Sequence, residues 1–152
     1  MEWTATFLSI KGRINRGTYW IAHIVWGMGF ICFFCIGLWV AEKEMTAAQD
    51  KLFYLVSSLI ISGLVYTLCA IAIKRFHDRD KSGWWIVPLI LIPSPPGDVV
   101  ETLFGKPFGL IWSAISGLVL TWTFIELGLF AGTTGRNRFG EALSPSKAWP
   151  EQ

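Results

Sequence analysis

Long uninterrupted apolar stretches restrict the fold of this sequence more than any other feature. Residues 18–41, 52–73 and 108–131 form three such stretches, in which Glu126 is the only formally charged side chain and His23 the only histidine. A helix needs about 20 apolar residues to cross the hydrocarbon core of a bilayer. Only 16% of the residues are charged, against about 25% in soluble domains. The sequence therefore predicts an all-α integral membrane protein that forms a single domain.

A fourth apolar stretch is shorter and is interrupted by proline. It covers residues 84–96 and contains Pro88 and Pro93. The nine or so residues before Pro93 would rise about 14 Å as a helix, whereas the hydrocarbon core is about 30 Å thick. Two interpretations remain open, a short Pro-kinked third helix or a re-entrant segment. The first gives a four-helix transmembrane bundle with helices at about 18–41, 52–73, 84–96 and 108–131, and residues 98–107 as a solvated loop.

The distribution of basic residues favours four crossings. With four crossings, ten of the thirteen lysines and arginines lie on one side of the membrane, whereas a re-entrant third segment divides them eight to five. Basic residues accumulate on the cytoplasmic side. We therefore expect both termini in the cytoplasm. Residues 1–17 are predicted to form a basic N-terminus with an interfacial helix or a frayed tail, and residues 132–152 a polar cytoplasmic tail.

Three polar motifs flank the apolar stretches. GRINRGTYW begins at Gly12, KRFHDRDKSGWW at Lys74 and GTTGRNRFG at Gly132. An even number of crossings brings all three to one face, as a topology-setting surface with aromatic anchors or as a binding site for anionic headgroups or a protein partner. The third motif also offers flexible backbone for an anion-binding nest. The candidate residues of this face are Arg13, Arg16, Arg75, His77, Asp78, Arg79, Ser82, Gly83, Trp84, Asn137 and Arg138.

The three motifs, in this order, resemble those of the DUF805 family of small bacterial inner-membrane proteins. That family carries G-R-x-x-R-x-x-[FY]-W before the first helix, R-R-L-H-D-x-x-R/K-S-G-W-W after the second and G-x-x-G-x-N-R/K-Y-G after the last. Lys74 stands here where the family usually has Arg, and residues 94–108 form a longer connection than in many relatives. The resemblance implies a multi-pass protein of the bacterial inner membrane and, because the family's function is unknown, no particular activity.

The motifs do not form a recognisable catalytic set. His77 and Asp78 are adjacent, so on a helix their side chains do not face each other, and no nucleophile or second carboxylate completes a site. We expect Asp78 to pair with Arg13, Arg16 or Arg75, since arginine and carboxylate form strong bidentate pairs. No metal-ligand spacing appears, the net charge of +2 is too small to indicate nucleic acid, and no cofactor is expected.

The intramembrane residues His23 and Glu126 need a separate explanation. An acidic side chain inside a membrane usually has a function and a partner. Helical rise puts both residues about 8 Å inside the cytoplasmic ends of their helices, so Glu126 could pair with His23, pair with Arg75, or extend to the interface. The first interpretation of function is a non-enzymatic membrane protein that binds lipid or a partner. The alternative is a small proton- or ion-coupled transporter or channel that uses Glu126 and His23 as a homo-oligomer, packed through Gly109, Ser113 and Gly117.

Overall fold

The computed structural model describes residues 3–141 and confirms that these residues form an all-α protein. In chain order the helices are α1 (Trp3–Leu8), α2 (Arg16–Ala41), α3 (Ala47–Asp78), α4 (Ile86–Leu91), α5 (Gly97–Phe104) and α6 (Lys106–Thr123). A 3₁₀ turn (Gly83–Trp85) leads into α4, and a π-helical turn (Phe124–Leu129) extends α6. The expected N-terminal helix is short, with six residues. The tail expected over residues 132–152 lies outside the described residues beyond Glu141.

Three of the helical segments are long and apolar enough to cross a membrane, which indicates an integral membrane protein. They are Arg16–Ala41, Ala47–Asp78 and Lys106–Leu129, at the three long apolar stretches of the sequence. The side chain of Asn15 caps α2 by accepting a hydrogen bond from the backbone N–H of Thr18 at 2.8 Å. Thr46 and Gln49 form a capping box at the start of α3, which satisfies backbone donors that have no partner within the helix.

The fourth apolar stretch forms no single helix over residues 84–96, so the predicted four-helix bundle is not confirmed. The helix α4 has only six residues and ends before Pro93. Pro88 lies in its first turn, where a missing N–H breaks no intrahelical hydrogen bond, so it causes no kink by that route. The expectation of a loop over residues 98–107 was wrong, because Gly97–Phe104 form α5 and Lys106 begins α6.

The segment formed by α4 and α5 runs antiparallel along α6. The hydroxyl of Ser116 donates to the carbonyl of Ile92 at 3.3 Å, and the indole N–H of Trp112 donates to that of Pro95 at 2.9 Å. Gly97 then lies against Ser113. This segment therefore lies beside α6 from its C-terminal half to its first turns, as two short helices instead of one.

The small-residue face of α6 is occupied within the chain. A Cβ added at Gly109 would lie 2.6 Å from the Cβ of Glu101 in α5, and one added at Gly97 would overlap the Ser113 hydroxyl. Gly117, by contrast, has no neighbour within 4 Å. Small residues let helices approach closely, and here Gly109 and Ser113 serve the packing of α5 on α6. These two residues are therefore not free to form the oligomer contact that the sequence suggested.

The buried part of the protein lies at one end of the long helices. Its apolar core includes Tyr19, Ile71, Phe76 and Leu127, whereas apolar side chains along the rest of the helices are exposed, Leu118 for example by 71%. The buried residues also include charged groups, with Arg75 fully buried. A soluble protein keeps such charges outside and its large apolar surfaces inside. Lipid tails are the natural cover for the exposed apolar surface.

Candidate functional site

A carboxylate at the end of α3 forms the centre of a buried polar cluster. The Asp78 side chain is 6% exposed. One oxygen, Oδ1, accepts hydrogen bonds from Nε and Nη2 of Arg13 at 3.1 and 3.0 Å, and the other, Oδ2, accepts from Nη1 of Arg75. The prediction that Asp78 pairs with an arginine is confirmed for Arg13 and Arg75. A carboxylate shared by two buried guanidiniums ties the start of α2 to the end of α3.

Arg13 also holds the third motif in place. Its Nη1 donates to the carbonyl oxygens of Gly135 at 2.8 Å and Gly140 at 3.2 Å, and its Nη2 donates to that of Thr133 at 2.7 Å. The GTTG segment therefore presents carbonyl oxygens to a cation, and these contacts do not test the expectation of an anion-binding nest of N–H groups. We call Arg13, Arg75, Asp78, Thr133 and Asn137 the polar junction.

The third motif packs directly on the end of α3. The backbone N–H of Thr133 donates to the carbonyl of Asp78 at 2.8 Å, and the side-chain amide of Asn137 donates to that of His77 at 2.9 Å. A Cβ at Gly132 would overlap the Asp78 carboxylate. Only glycine fits at this approach without a shift of the backbone or the carboxylate. The three polar motifs of the sequence thus contact one another.

The π-helical turn presents its backbone carbonyls to side-chain donors. The last carbonyls of a helix have no partner within the helix and carry partial negative charge. Five consecutive carbonyls, those of residues 127–131, accept hydrogen bonds from the side chains of Arg75, Trp20, Arg16, Arg75 and Arg79, in that order. Several arginines of the first two motifs therefore cap the C-terminal end of α6.

Glu126 belongs to the same end of the molecule and has two basic partners. Its Oε1 accepts from Arg79 Nε at 3.1 Å and lies 2.8 Å from Lys81 Nζ. The carboxylate is 5% exposed, whereas the two basic side chains are 26% and 32% exposed. Two cations around one buried carboxylate leave the group with one net positive charge. The KRFHDRDKSGWW motif therefore provides cations for two carboxylates. Arg75 binds Asp78, whereas Arg79 and Lys81 bind Glu126.

The prediction that His23 pairs with Glu126 was wrong, because within residues 3–141 each of the two side chains has other partners. His23 Nδ1 lies 2.9 Å from the carbonyl of Tyr19 within its own helix, and its ring lies 4.1 Å from the Tyr19 ring. Glu126 reaches Arg79 and Lys81 instead. Two residues at similar depth need not face each other, and depth was the only property that the sequence supplied. Arg75, the other suggested partner, binds Asp78.

The remaining candidate residues lie around the polar junction with differing exposure. The ring of His77 stacks on Phe139 at 3.8 Å, and its Nδ1 lies 3.1 Å from the carbonyl of Gly12. Arg138 forms an exposed pair with Asp80 at 3.3 Å. Ser82 accepts from the N–H of Trp84, Gly83 lies close against Ile73 and His77, and Trp84 is 79% exposed.

This geometry separates the structural charges from those that remain accessible. Arg13 and Arg75 are buried and bind Asp78 and backbone carbonyls. Arg16 and Arg138 are exposed, and the side chain of Arg136 is 80% exposed. His77 contacts a ring and a carbonyl and does not face the Asp78 carboxylate, which the arginines occupy. The sequence did not single out Thr133 or the contact of Lys74 Nζ with the carbonyl of Thr6, since neither follows from spacing.

Comparison with known proteins agrees with the motifs. The sequence profile of DUF805, a protein of unknown function, matches residues 7–141. The uncharacterized protein YiiR of Escherichia coli strain K12 is 31% identical over 133 residues, covering 88% of this chain and 84% of YiiR. YiiR of Escherichia coli O157:H7 gives the same identity and coverage, and no solved structure matches the chain. With most of its length matched, and with the three motifs in contact, the chain belongs to the DUF805 family.

Proposed function

We propose that this is a non-enzymatic protein of the bacterial inner membrane whose polar end binds anionic lipid headgroups. The observation that carries the proposal is the charge of the two ends of the helices. Within residues 3–141, the end that holds the polar junction has nine basic and four acidic residues, a net charge of +5, whereas the opposite end has three basic and five acidic residues. Basic groups next to a membrane attract anionic lipids by about 1 kcal/mol each.

The accessible cations supply the contacts in this proposal. Arg13 and Arg75 hold the helix ends together, so the proposed contacts are with exposed groups such as Arg16, Arg136 and Arg138. Arg16 lies one turn of α2 away from Trp20, which is 36% exposed, and Trp84 projects from the same end. Indole rings favour the headgroup region. The same cationic excess supports an orientation with both termini in the cytoplasm.

The transporter alternative has no observation in its favour. It placed Glu126 and His23 in one proton or ion path, but Glu126 is paired with two cations and His23 contacts Tyr19. Enzymatic activity is likewise not proposed, because the Asp78 carboxylate is occupied by Arg13 and Arg75.

The test is the selectivity of the purified protein for anionic lipid. In native mass spectrometry with equal phosphatidylglycerol and phosphatidylethanolamine, we expect phosphatidylglycerol to be retained preferentially. Arg136→Gln with Arg138→Gln should weaken that retention, whereas Lys43→Gln with Lys51→Gln at the opposite end should not. Equal retention of the two lipids by the unchanged protein would overturn the proposal.

A further inference from the structure

A groove on the outer side of α4 and α6 combines a cation, two indole rings and an apolar floor. It has a volume of about 470 Å³. Lys81, Trp85 and Trp122 lie at its end nearest the polar junction, and Leu89, Ile92 and Val119 line the rest. From Trp85 to Ile92 the helix rises by about 10 Å. The groove therefore leads from a charged group into the apolar part of the molecule.

The charged end of the groove has unused capacity for an anion. Glu126 is shared by Arg79 and Lys81, so the three groups together carry one net positive charge. The ammonium of Lys81 has three N–H donors, its contact with Glu126 uses one, and the side chain is 32% exposed. It lies 5.3 Å from the centre of the Trp122 ring and 5.8 Å from that of Trp85, so both rings frame the cation.

The two indoles at this end have no hydrogen-bond acceptor within the described residues, unlike three other indoles of the protein. The N–H groups of Trp20, Trp26 and Trp112 each donate to a backbone carbonyl. Those of Trp85 and Trp122 donate to no residue within 3–141. Since no buried side-chain nitrogen or oxygen among the described residues lacks a partner, these two N–H groups are accessible from outside the protein. At the mouth of this groove the two N–H groups can donate to phosphate or ester oxygens.

We propose that this groove binds one anionic phospholipid, with its phosphate on Lys81 and the first part of one acyl chain along Leu89, Ile92 and Val119. The inference rests on the proposed function and assigns it a specific site. Charge complementarity selects an anionic headgroup, and the apolar floor next to a cation selects an amphiphile over a free phosphate. A bilayer brings such a molecule to the groove from the side.

The proposal is tested with phosphatidylglycerol that carries a photoreactive diazirine on its acyl chain, cross-linked to the full chain in nanodiscs and mapped by peptide mass spectrometry. We expect cross-links in α4 and around Val119. Val119→Trp, which fills the groove without touching the Lys81–Glu126 pair, should reduce them at least fivefold. Leu118→Trp, on the lipid-exposed side of α6, is the control and should leave the cross-links unchanged.

A second pair of variants tests the headgroup contact. Lys81→Gln should weaken phosphatidylglycerol binding about fivefold, as expected for one lysine at a membrane surface, and Lys81→Arg should restore it. Lys43→Gln is the matched control, because Lys43 also lies over an indole, 4.9 Å from the Trp39 ring, but has no such groove. Unchanged binding and cross-linking in both Val119→Trp and Lys81→Gln would overturn the proposal that this groove binds the lipid.

The outcomes also distinguish this inference from the broader proposal. Selective phosphatidylglycerol binding that is lost in Arg136→Gln with Arg138→Gln but kept in the groove variants would support the polar face and reject the groove. A protein with no preference for anionic lipid would reject both. Equal cross-linking by a phosphatidylethanolamine probe would reject the assignment of an anionic headgroup. A dimer that forms without lipid and covers the groove would reject lipid binding at this site.

Discussion

Removing the charge of Asp78 should cost much more stability than removing the charge of Asp80, two residues away. The Asp78 carboxylate accepts three hydrogen bonds from Arg13 and Arg75, whose side chains are 2% and 0% exposed. Asp78→Asn would leave two buried guanidiniums facing a neutral amide. Breaking a buried pair by removing one partner costs about 3–5 kcal/mol, and an amide that keeps one acceptor oxygen places the loss at the lower end of this range.

Asp80→Asn is the matched control, since it makes the same chemical change in an exposed pair. The Asp80 and Arg138 side chains are 48% and 58% exposed, and such surface pairs contribute about 0–1 kcal/mol. We therefore expect the two variants to differ by at least about 2 kcal/mol in the free energy of unfolding, measured by titrating the purified protein from mild detergent into SDS. Similar losses for both variants would refute the claim that Asp78 is the centre of a buried cluster.

Two further predictions concern the same end of the molecule. Gly132→Ala should destabilise the protein by about 1–3 kcal/mol, the usual cost of overpacking, because the added Cβ would overlap the Asp78 carboxylate. Gly117→Ala is the control and should be close to neutral, since a Cβ there has nothing within 4 Å. Equal effects of the two substitutions in thermal unfolding would contradict this packing. In double-mutant cycles on the free energy of unfolding, Glu126→Gln and Lys81→Gln should show a coupling of at least about 0.5 kcal/mol, whereas Glu126→Gln and His23→Ala should be additive. The reverse pattern would support the pair of His23 and Glu126 that the sequence suggested.

The sequence was informative where one property determined the structure. The length of the apolar stretches predicted all three long helices, since the bilayer imposes a minimum length on a spanning helix. The arginine-rich motif predicted a partner for Asp78, because a carboxylate next to several guanidiniums has little alternative inside a membrane protein. Pro88 and Pro93 indicated an interrupted segment, and α4 does end at Leu91, although the helix was expected to continue to residue 96.

The features that the sequence did not reveal depend on tertiary contacts. The helix α5 packs on α6 through Gly97 and Gly109, and its acidic residues Asp98 and Glu101 made the segment resemble a loop. The partners of Glu126 depend on rotation about the helix axis as well as on depth, and only depth could be calculated from the sequence. The π-helical turn and the two residues after it bring five carbonyls to side-chain donors. These donors belong to α2 and to the end of α3, which lie far away along the chain.

The central claim is that the three polar motifs lie together at the cytoplasmic face of the membrane. Labelling of single cysteines with a membrane-impermeant maleimide tests it directly, in a background with Cys32, Cys35 and Cys69 replaced by alanine. In intact spheroplasts, we predict that cysteines at Lys11 and Arg136 stay unlabelled until the membrane is permeabilised, whereas a cysteine at Glu44 is labelled at once. Labelling of Lys11→Cys and Arg136→Cys from opposite sides of the membrane would contradict the account.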